Sequence, residues 1–281
     1  MEVITRIDVL RACRKKMKEP LGLVPTMGYL HAGHISLVER AHRECASVAV
    51  SIFVNPTQFG PSEDLGSYPR DLNHDLELLR DAGVDLVWTP AAVDLYPEGY
   101  QTWVSVDDLT RQLEGASRPG HFRGVTTVVA KLFNVVQPQR AYFGQKDAQQ
   151  AAVIRRMVAD LNFPIDIRVC PIIRESDGLA MSSRNSYLSS QERQAARVLH
   201  RALSAAVQAC RSGEKDGDKL RAVMEEILSA EPAARIDYVS CAAPNTLQEL
   251  AHVGDSALFS MAVAIGKTRL IDNMEYSEKE S

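Results

Sequence analysis

The chain has 281 residues, 45% hydrophobic and 24% charged, with a formal net charge of −4. That length suits one or two domains with ample chain for a buried core, and the lack of a basic surplus argues against nucleic acid as a partner. The five cysteines at 13, 45, 170, 210 and 241 are odd in number and scattered, a pattern of a reducing compartment rather than of a disulfide framework. No apolar run approaches the ~18 residues of a membrane helix, and Glu2 and Asp8 among the N-terminal basic residues argue against a transit peptide. The expected location is the cytoplasm, with no membrane partner.

In chain order, residues 5–18 read as a first helix with Ile7, Leu10, Cys13 and Met17 on one stripe. Leu21-Gly22-Leu23-Val24 reads as a short buried strand, followed by a glycine-containing turn and a helix from about His34 to Cys45. The continuous apolar run 48–54 predicts a parallel strand covered on both faces, stopped by Asn55-Pro56. Ligands of open parallel sheets bind beyond the carboxyl ends of strands, which places Asn55 and Gln58 as site candidates. A helix with Leu72, Leu76 and Leu79 inward follows, then a strand at 84–88. Residues 89–121 lose periodicity, with Gln101 to Val106 suggesting a short hairpin arm and Ser117-Arg118-Pro119-Gly120-His121 a cationic loop. A helix around Val128–Val136, a strand at 140–143 and a helix carrying Val153 and Met157 come next. A fifth strand runs from Ile165 to Cys170.

This alternation predicts an α/β fold, a doubly wound parallel (Rossmann-like) sheet. Two helices at about 191–211 and 216–229, with strands near 236–241 and 257–265, predict a smaller C-terminal α+β domain. The expected division is 1–174 and 175–281, the second part opening on the polar segment Arg174 to Asn185, which reads as a mobile phosphate-binding loop. Gly266-Lys267-Thr268 is a turn between strands and not a P-loop, since Met261 stands where that motif needs its first glycine.

The chemistry concentrates in Pro25-Thr26-Met27-Gly28-Tyr29-Leu30-His31-Ala32-Gly33-His34. A strand, a tight turn and a helix start aim free N–H groups and the positive end of the helix dipole at one place, where an anion can sit. His31 and His34, three apart, can share a face there and suit a phosphate chain. A zinc site would need three or four ligands, and no CxxC occurs. GxGxxG is also absent, which leaves the His-x-Gly-His pattern of nucleotidyltransferases and class I aminoacyl-tRNA synthetases. A second strand–turn–helix, Gly144-Gln145-Lys146-Asp147, carries a lysine at another carboxyl edge.

With PTMGYLHAGH at 25–34, FVNPTQF at 53–59, RPGHFRGV at 118–125, YFGQKDAQQ at 142–150 and DGLAMSSRN at 177–185, the chain resembles the pantoate–β-alanine ligase (pantothenate synthetase) family over nearly its whole length. The resemblance implies a coupling of pantoate to β-alanine with ATP, through a pantoyl-adenylate, giving AMP and pyrophosphate. It implies that residues 25–34, Gly144, Gln145, Lys146, Asp147, Ile173, Met181, Ser182, Ser183 and Arg184 surround ATP. His34 would be the catalytic proton donor, with His31, Lys146 and Arg184 as its catalytic partners. Gln58 would contact both acceptor substrates and Gln150 pantoate, with Asn55 and Arg118 beside them. A homodimer and magnesium are further implications. The chain departs from the family at Gln145, where glutamate is frequent, and at His74, where an acidic residue is frequent; a neutral imidazole is a poor magnesium ligand, so Asp75 or the triphosphate alone is left to hold the ion. Two other readings stand beside this one. An adenylylating relative with a phosphate-ester acceptor would call for more lysine or arginine than Asn55, Gln58 and Gln150 offer. A nucleotide-sensing module would bind ATP without releasing pyrophosphate.

Overall fold

The computed structural model describes residues 1–61 and 63–278. Strands β1 (Glu2–Ile4), β2 (Leu21–Thr26), β3 (Ser47–Ile52), β4 (Leu86–Trp88), β5 (Arg140–Gly144) and β6 (Asp166–Cys170) form one sheet in the order β1-β4-β3-β2-β5-β6, with every neighbouring pair parallel. Helices α1 (Ile7–Arg14), α2 (Ala32–Glu44), α3 (Leu72–Asp81), α4 (Ala92–Leu95), α5 (Glu114–Ser117), α6 (His121–Val136) and α7 (Ala148–Asp160) connect and cover it.

Both faces of the sheet are buried, which explains the near-continuous apolar strands. Successive side chains alternate between two cores. Leu21, Leu23, Ala49, Leu86 and Trp88 pack with Leu10, Phe133 and Ile154 on the α1, α6 and α7 side. Val24, Val48, Val50 and Val87 pack with Leu37, Val38 and Ala41 of α2 and Leu79 of α3 on the other. The chain runs outward from β2 to β3 and β4, then crosses to begin again at β5 on the opposite side of β2. The carboxyl ends of β2 and β5 therefore lie side by side where the strand order reverses, the place at which open α/β sheets bind ligands.

Several local expectations are corrected. Strand β1 has too few residues to show a period, and its pairing of Val3 with Val87 is what defines it. The first helix spans only Ile7–Arg14 rather than 5–18. Leu72 is 45% exposed, and Asp75 rather than Leu72 shares the buried stripe of α3 with Leu79. Residues 101–106 form no hairpin; Val104 instead runs along α6, its N–H donating to Thr127 Oγ1 and its carbonyl accepting from Thr126 Oγ1.

The remainder holds α8 (Ser190–Ala195), α9 (Val198–Arg211) and α10 (Gly217–Ser229), followed by an antiparallel sheet of β7 (Ala234–Ala242), β8 (Ser256–Ile265) and β9 (Thr268–Ser277). The expected single helix at 191–211 is thus two, interrupted at Ala196–Arg197. Leu199, Leu203, Leu220 and Met224 pack on Phe259, Met261 and Val263, forming a core separate from the first two; the apolar clusters part between Cys170 and Leu179.

The two parts are joined by a buried ion pair. Arg174 donates to both carboxylate oxygens of Asp272 at 2.7 and 2.9 Å, and to the carbonyls of Gly178 and Asn273. Removing one partner strands a buried charge. Arg174→Ala should lower stability by about 3–5 kcal/mol, read from the urea midpoint; an unchanged midpoint would mean that Asp272 finds solvent without Arg174.

Candidate active site

The turn after β2 is built on a left-handed pair, Gly28 at φ +82° and Tyr29 at φ +52°. A side chain at Gly28 would be strained and would meet Asp75 Oδ2 at 2.9 Å. Asp75, 1% exposed, accepts from the Tyr29 N–H at 2.8 Å and the Leu30 N–H at 2.7 Å, one on each oxygen. Burial raises its pKa, while those two amide bonds pull it down. Both oxygens of Asp75 support the turn from beneath, and Asp75 does not line the cavity described below.

His31 caps α2, its Nδ1 accepting from the Gly33 N–H at 3.1 Å, and His34 Nδ1 accepts from the His31 N–H at 3.3 Å. A ring that accepts at Nδ1 carries its proton on Nε2, so both imidazoles are fixed as Nε2–H donors with centroids 4.1 Å apart. Burial, then the charge of Lys146, pushes His31 down to about 4; burial, then His31 and Lys146, pushes His34 down to about 3. Both rings are neutral at pH 7 in the free protein. In the free protein His34 therefore offers a hydrogen bond from Nε2–H, and neither ring adds to the cations of the site.

Lys146 acts electrostatically on both rings, so the turn after β5 adjoins the turn after β2. Gly144 ends β5, and Gln145–Asp147 form one 3₁₀ turn. Gln145 donates to Glu275 and Asn273. Among the described residues, Lys146 has no carboxylate within ion-pair distance, and the side chain of Asp147 is exposed and unpaired.

The segment expected to be a mobile loop is pinned. Ile173 accepts from the Met181 N–H, Arg174 bridges to Ala180, and Arg193 grips Asp177 through two nitrogens. Ser182 caps the 3₁₀ turn Ser183–Tyr187, and Ser183 Oγ donates to the Tyr29 carbonyl at 3.2 Å, tying this segment to the first turn. Arg184 donates to both oxygens of Asp64 at 2.8 and 2.9 Å; against the effect of burial, that guanidinium holds the Asp64 carboxyl below its usual range.

A cavity of about 750 Å³ opens between the two parts of the chain. Lys146, Gln150, Arg118, Ser182 and Arg184 line it, with Asn273 from the C-terminal sheet. Gln150 has no side-chain partner, whereas the neighbouring Gln149 is buried and spends its amide on the carbonyls of Leu109 and Gln112. His31, His34, Gln58 and Asn55 do not line this cavity. Gln58 lies against the first turn, donating to Met27 Sδ, and accepts from Asn55 Nδ2 at 3.1 Å. Asn55 is buried, and its other bonds go to Gly124 and Thr57, so its side chain holds Gln58 against the protein. Arg118 is held by Glu63 at 2.6 and 2.8 Å.

The carboxylates that hold these arginines were not legible as site residues. Glu63 and Asp64 are 55 and 120 positions from their partners, and no local spacing signals such pairs. The same is true of Glu114, gripped through both oxygens by Arg269 of β9.

Three histidines with large downward shifts contribute to the acid response, and His200, also pushed down by burial, acts in the same direction. His121, whose Nδ1 lies 2.8 Å from the Gln58 carbonyl, is pushed down to about 4 by burial, then by Arg118. For His31, His34 and His121 the folded value lies below the ordinary 6.5. Between those limits the unfolded chain binds protons that the folded chain does not. Stability is thus fully present above pH 6.5 and falls as pH drops, by up to about 1.4 kcal/mol per pH unit for each ring. Urea midpoints at pH 7.5 and 5.5 should show this loss and His121→Gln should reduce it; equal midpoints would mean the rings are charged in the folded state.

Comparison with known proteins agrees with the geometry. The family profile described as pantoate-beta-alanine ligase matches residues 2–275. The pantothenate synthetase of Roseiflexus castenholzii is 60% identical over 273 residues, covering 97% of this chain and 98% of that one. The crystal structure of pantothenate synthetase from Thermus thermophilus superposes with a TM-score of 0.94 at 50% identity, covering 98% of this chain and 99% of that one. The pantoate-beta-alanine ligase of Francisella tularensis, solved in complex with beta-gamma ATP and beta-alanine, gives 0.80 at 34% identity, covering 99% and 98%. The shared fold, the His-x-Gly-His turn and the length of these matches make the chain a member of the pantoate–β-alanine ligase family.

Proposed function

We propose that this chain joins pantoate to β-alanine in two steps at the adjoining carboxyl ends of β2 and β5, beside the cavity between its two parts. In the first, a pantoate carboxylate oxygen attacks the α-phosphorus of ATP; the bond to the β-phosphoryl oxygen breaks, leaving pantoyl-adenylate and pyrophosphate. In the second, the neutral amine of β-alanine attacks the acyl carbon, loses a proton, and AMP departs with the electron pair of the acyl–oxygen bond. The observation that carries this reading is the meeting of Lys146 with the Nε2–H donors of His31 and His34 at the adjoining carboxyl ends of β2 and β5. Negative charge grows on phosphoryl oxygens and on pyrophosphate during the first step, and preorganised donors and cations aimed there are what lower such a barrier. Lys146, free of any carboxylate, takes the phosphate charge, and Arg184 joins once the ligand displaces Asp64. Asp147, an acceptor only, suits the ribose hydroxyls. Gln58 and Gln150 fit the polar, weakly charged substrates. The ligands named for the Francisella relative support ATP and β-alanine as ligands here.

Among the described residues, no three His, Cys, Asp or Glu side chains converge as a metal cage. That fits magnesium, which ordinarily takes its ligands from triphosphate and water with one or two carboxylates. Bound on the triphosphate, it would screen the developing charge. The same reading includes a homodimer in the cytoplasm, open to light scattering on the purified protein.

ATP and pantoate alone should release about one pyrophosphate per active site in a rapid burst, with β-alanine converting the burst to steady turnover and AMP. Pyrophosphate appearing only with β-alanine present, or ADP as product, would overturn the adenylate. His34→Ala should lower kcat roughly 10²–10³-fold, as for one preorganised donor. Lys146→Ala should lower kcat more than it weakens ATP binding; weakened binding at full kcat would make Lys146 a ground-state anchor.

A further inference from the structure

Lys146 is held in place from the other sheet. Asn273, on β9 and 2% exposed, points its Nδ2 between two backbone carbonyls, those of Gln145 and Lys146, at 2.9 Å each. Its Oδ1 faces the Gln145 side-chain amide at 3.3 Å, and that amide also reaches Glu275 at 2.9 Å. The residue before it, Asp272, holds Arg174 at the root of the segment that carries Ser182, Ser183 and Arg184, and Arg174 in turn reaches the Asn273 carbonyl. Asp272 Oδ1 also accepts from the Asn273 N–H at 2.8 Å. Two consecutive residues of one strand thus grip the two segments that bring Lys146 and Arg184 to the cavity.

We propose that Asn273 is a positioning residue for the reaction, fixing the backbone of the Gln145–Lys146 turn so that the Lys146 ammonium is aimed at the phosphate chain. The position demands an amide nitrogen. Two carbonyl oxygens converge on it, so an isosteric carboxylate would set charge against both, and an alanine would take this donor away from two half-buried acceptors. A residue serving only to fill space would tolerate aspartate, which has almost the same shape. A residue serving only the joint between the two parts would change stability without acting through one lysine.

This inference rests on the role given to Lys146 above, and a double-mutant cycle separates the two. Pyrophosphate release in single turnover and steady-state kcat and KM for ATP would be measured in the full-length chain for Asn273→Ala and Asn273→Asp, each alone and combined with Lys146→Ala, alongside thermal unfolding. Misplacing a reacting group by about an ångström can cost roughly a hundredfold, so Asn273→Ala should lower kcat about tenfold to a hundredfold, with KM for ATP moving less than about threefold. Asn273→Asp should do no better. In the Lys146→Ala background both changes should have little further effect on kcat, because the group they aim is gone. Independent, multiplicative losses would overturn the inference while leaving Lys146 in its role, as would near-normal kcat in Asn273→Asp. Unchanged turnover in Lys146→Ala alone would overturn both. Should Asn273→Ala fail to fold, Asn273→Ser takes its place in the same cycle with the same outcomes.

Discussion

Strands β2 and β5 touch through only two paired positions, Gly22 with Arg140 and Leu23 with Ala141. Beyond them β2 continues against β3 to Thr26, while β5 continues against β6 to Gly144. The sheet therefore parts at its centre toward the carboxyl side. A crevice at this point is a consequence of topology: the chain leaves β2 for α2 on one face and leaves β5 for α7 on the other. Each departing strand needs a turn, and each turn delivers its groups to the same gap. The meeting of the two turns is a matter of backbone topology, and residues such as Gly28 and Asp75 then fix each turn's shape. Gly22 shows how tightly this centre is packed, since a Cβ there would stand 3.0 Å from the Tyr142 ring and 3.1 Å from Cys45 Sγ.

Charge around the crevice is arranged by pairing. Arg118 and Arg184 face Glu63 and Asp64, consecutive along the chain, and Arg269 faces Glu114 and Asp237. Lys146 stands apart from these matched pairs, beside two imidazoles that its own charge helps keep neutral. Among the described residues, Lys146 and Lys267 line the cavity without an ion-pair partner, whereas the arginines there are already matched to carboxylates. Neutral imidazoles with fixed tautomers add donors to that site without adding charge.

The sheet and its helices were legible because they rest on local patterns. Unbroken apolar strands reported burial on both faces, and the His-x-Gly-His turn and the Gly-Gln-Lys-Asp turn were each visible as strand–turn–helix junctions. What was hidden is what depends on distant partners. Asn55 looked like a site residue because it ends a strand, yet its bonds turn inward to Gly124 and Thr57. Asp75 stood out in the sequence only as an acidic residue left to hold an ion beside His74, and its support of the turn from below depends on amides 45 and 46 positions away. The protonation of His31 and His34 could not be read from their spacing, because burial and the neighbouring lysine decide it. Strand β1 was invisible at three residues, and the division of the long helix at Ala196–Arg197 left no proline or glycine to announce it.

The grip of Asn273 on the turn at 145–146 also has a meaning in time. A chain made from its N-terminus folds its early parts first, and the parallel sheet has all six strands once Cys170 has emerged. Asn273 follows about a hundred residues later, which at ribosomal speed is roughly 5–20 s. Throughout that interval the nascent sheet holds both strand ends of its nucleotide crevice but not the amide that clamps one of them. The contacts that hold the turn at 145–146 are thus completed by one of the last strands to be made.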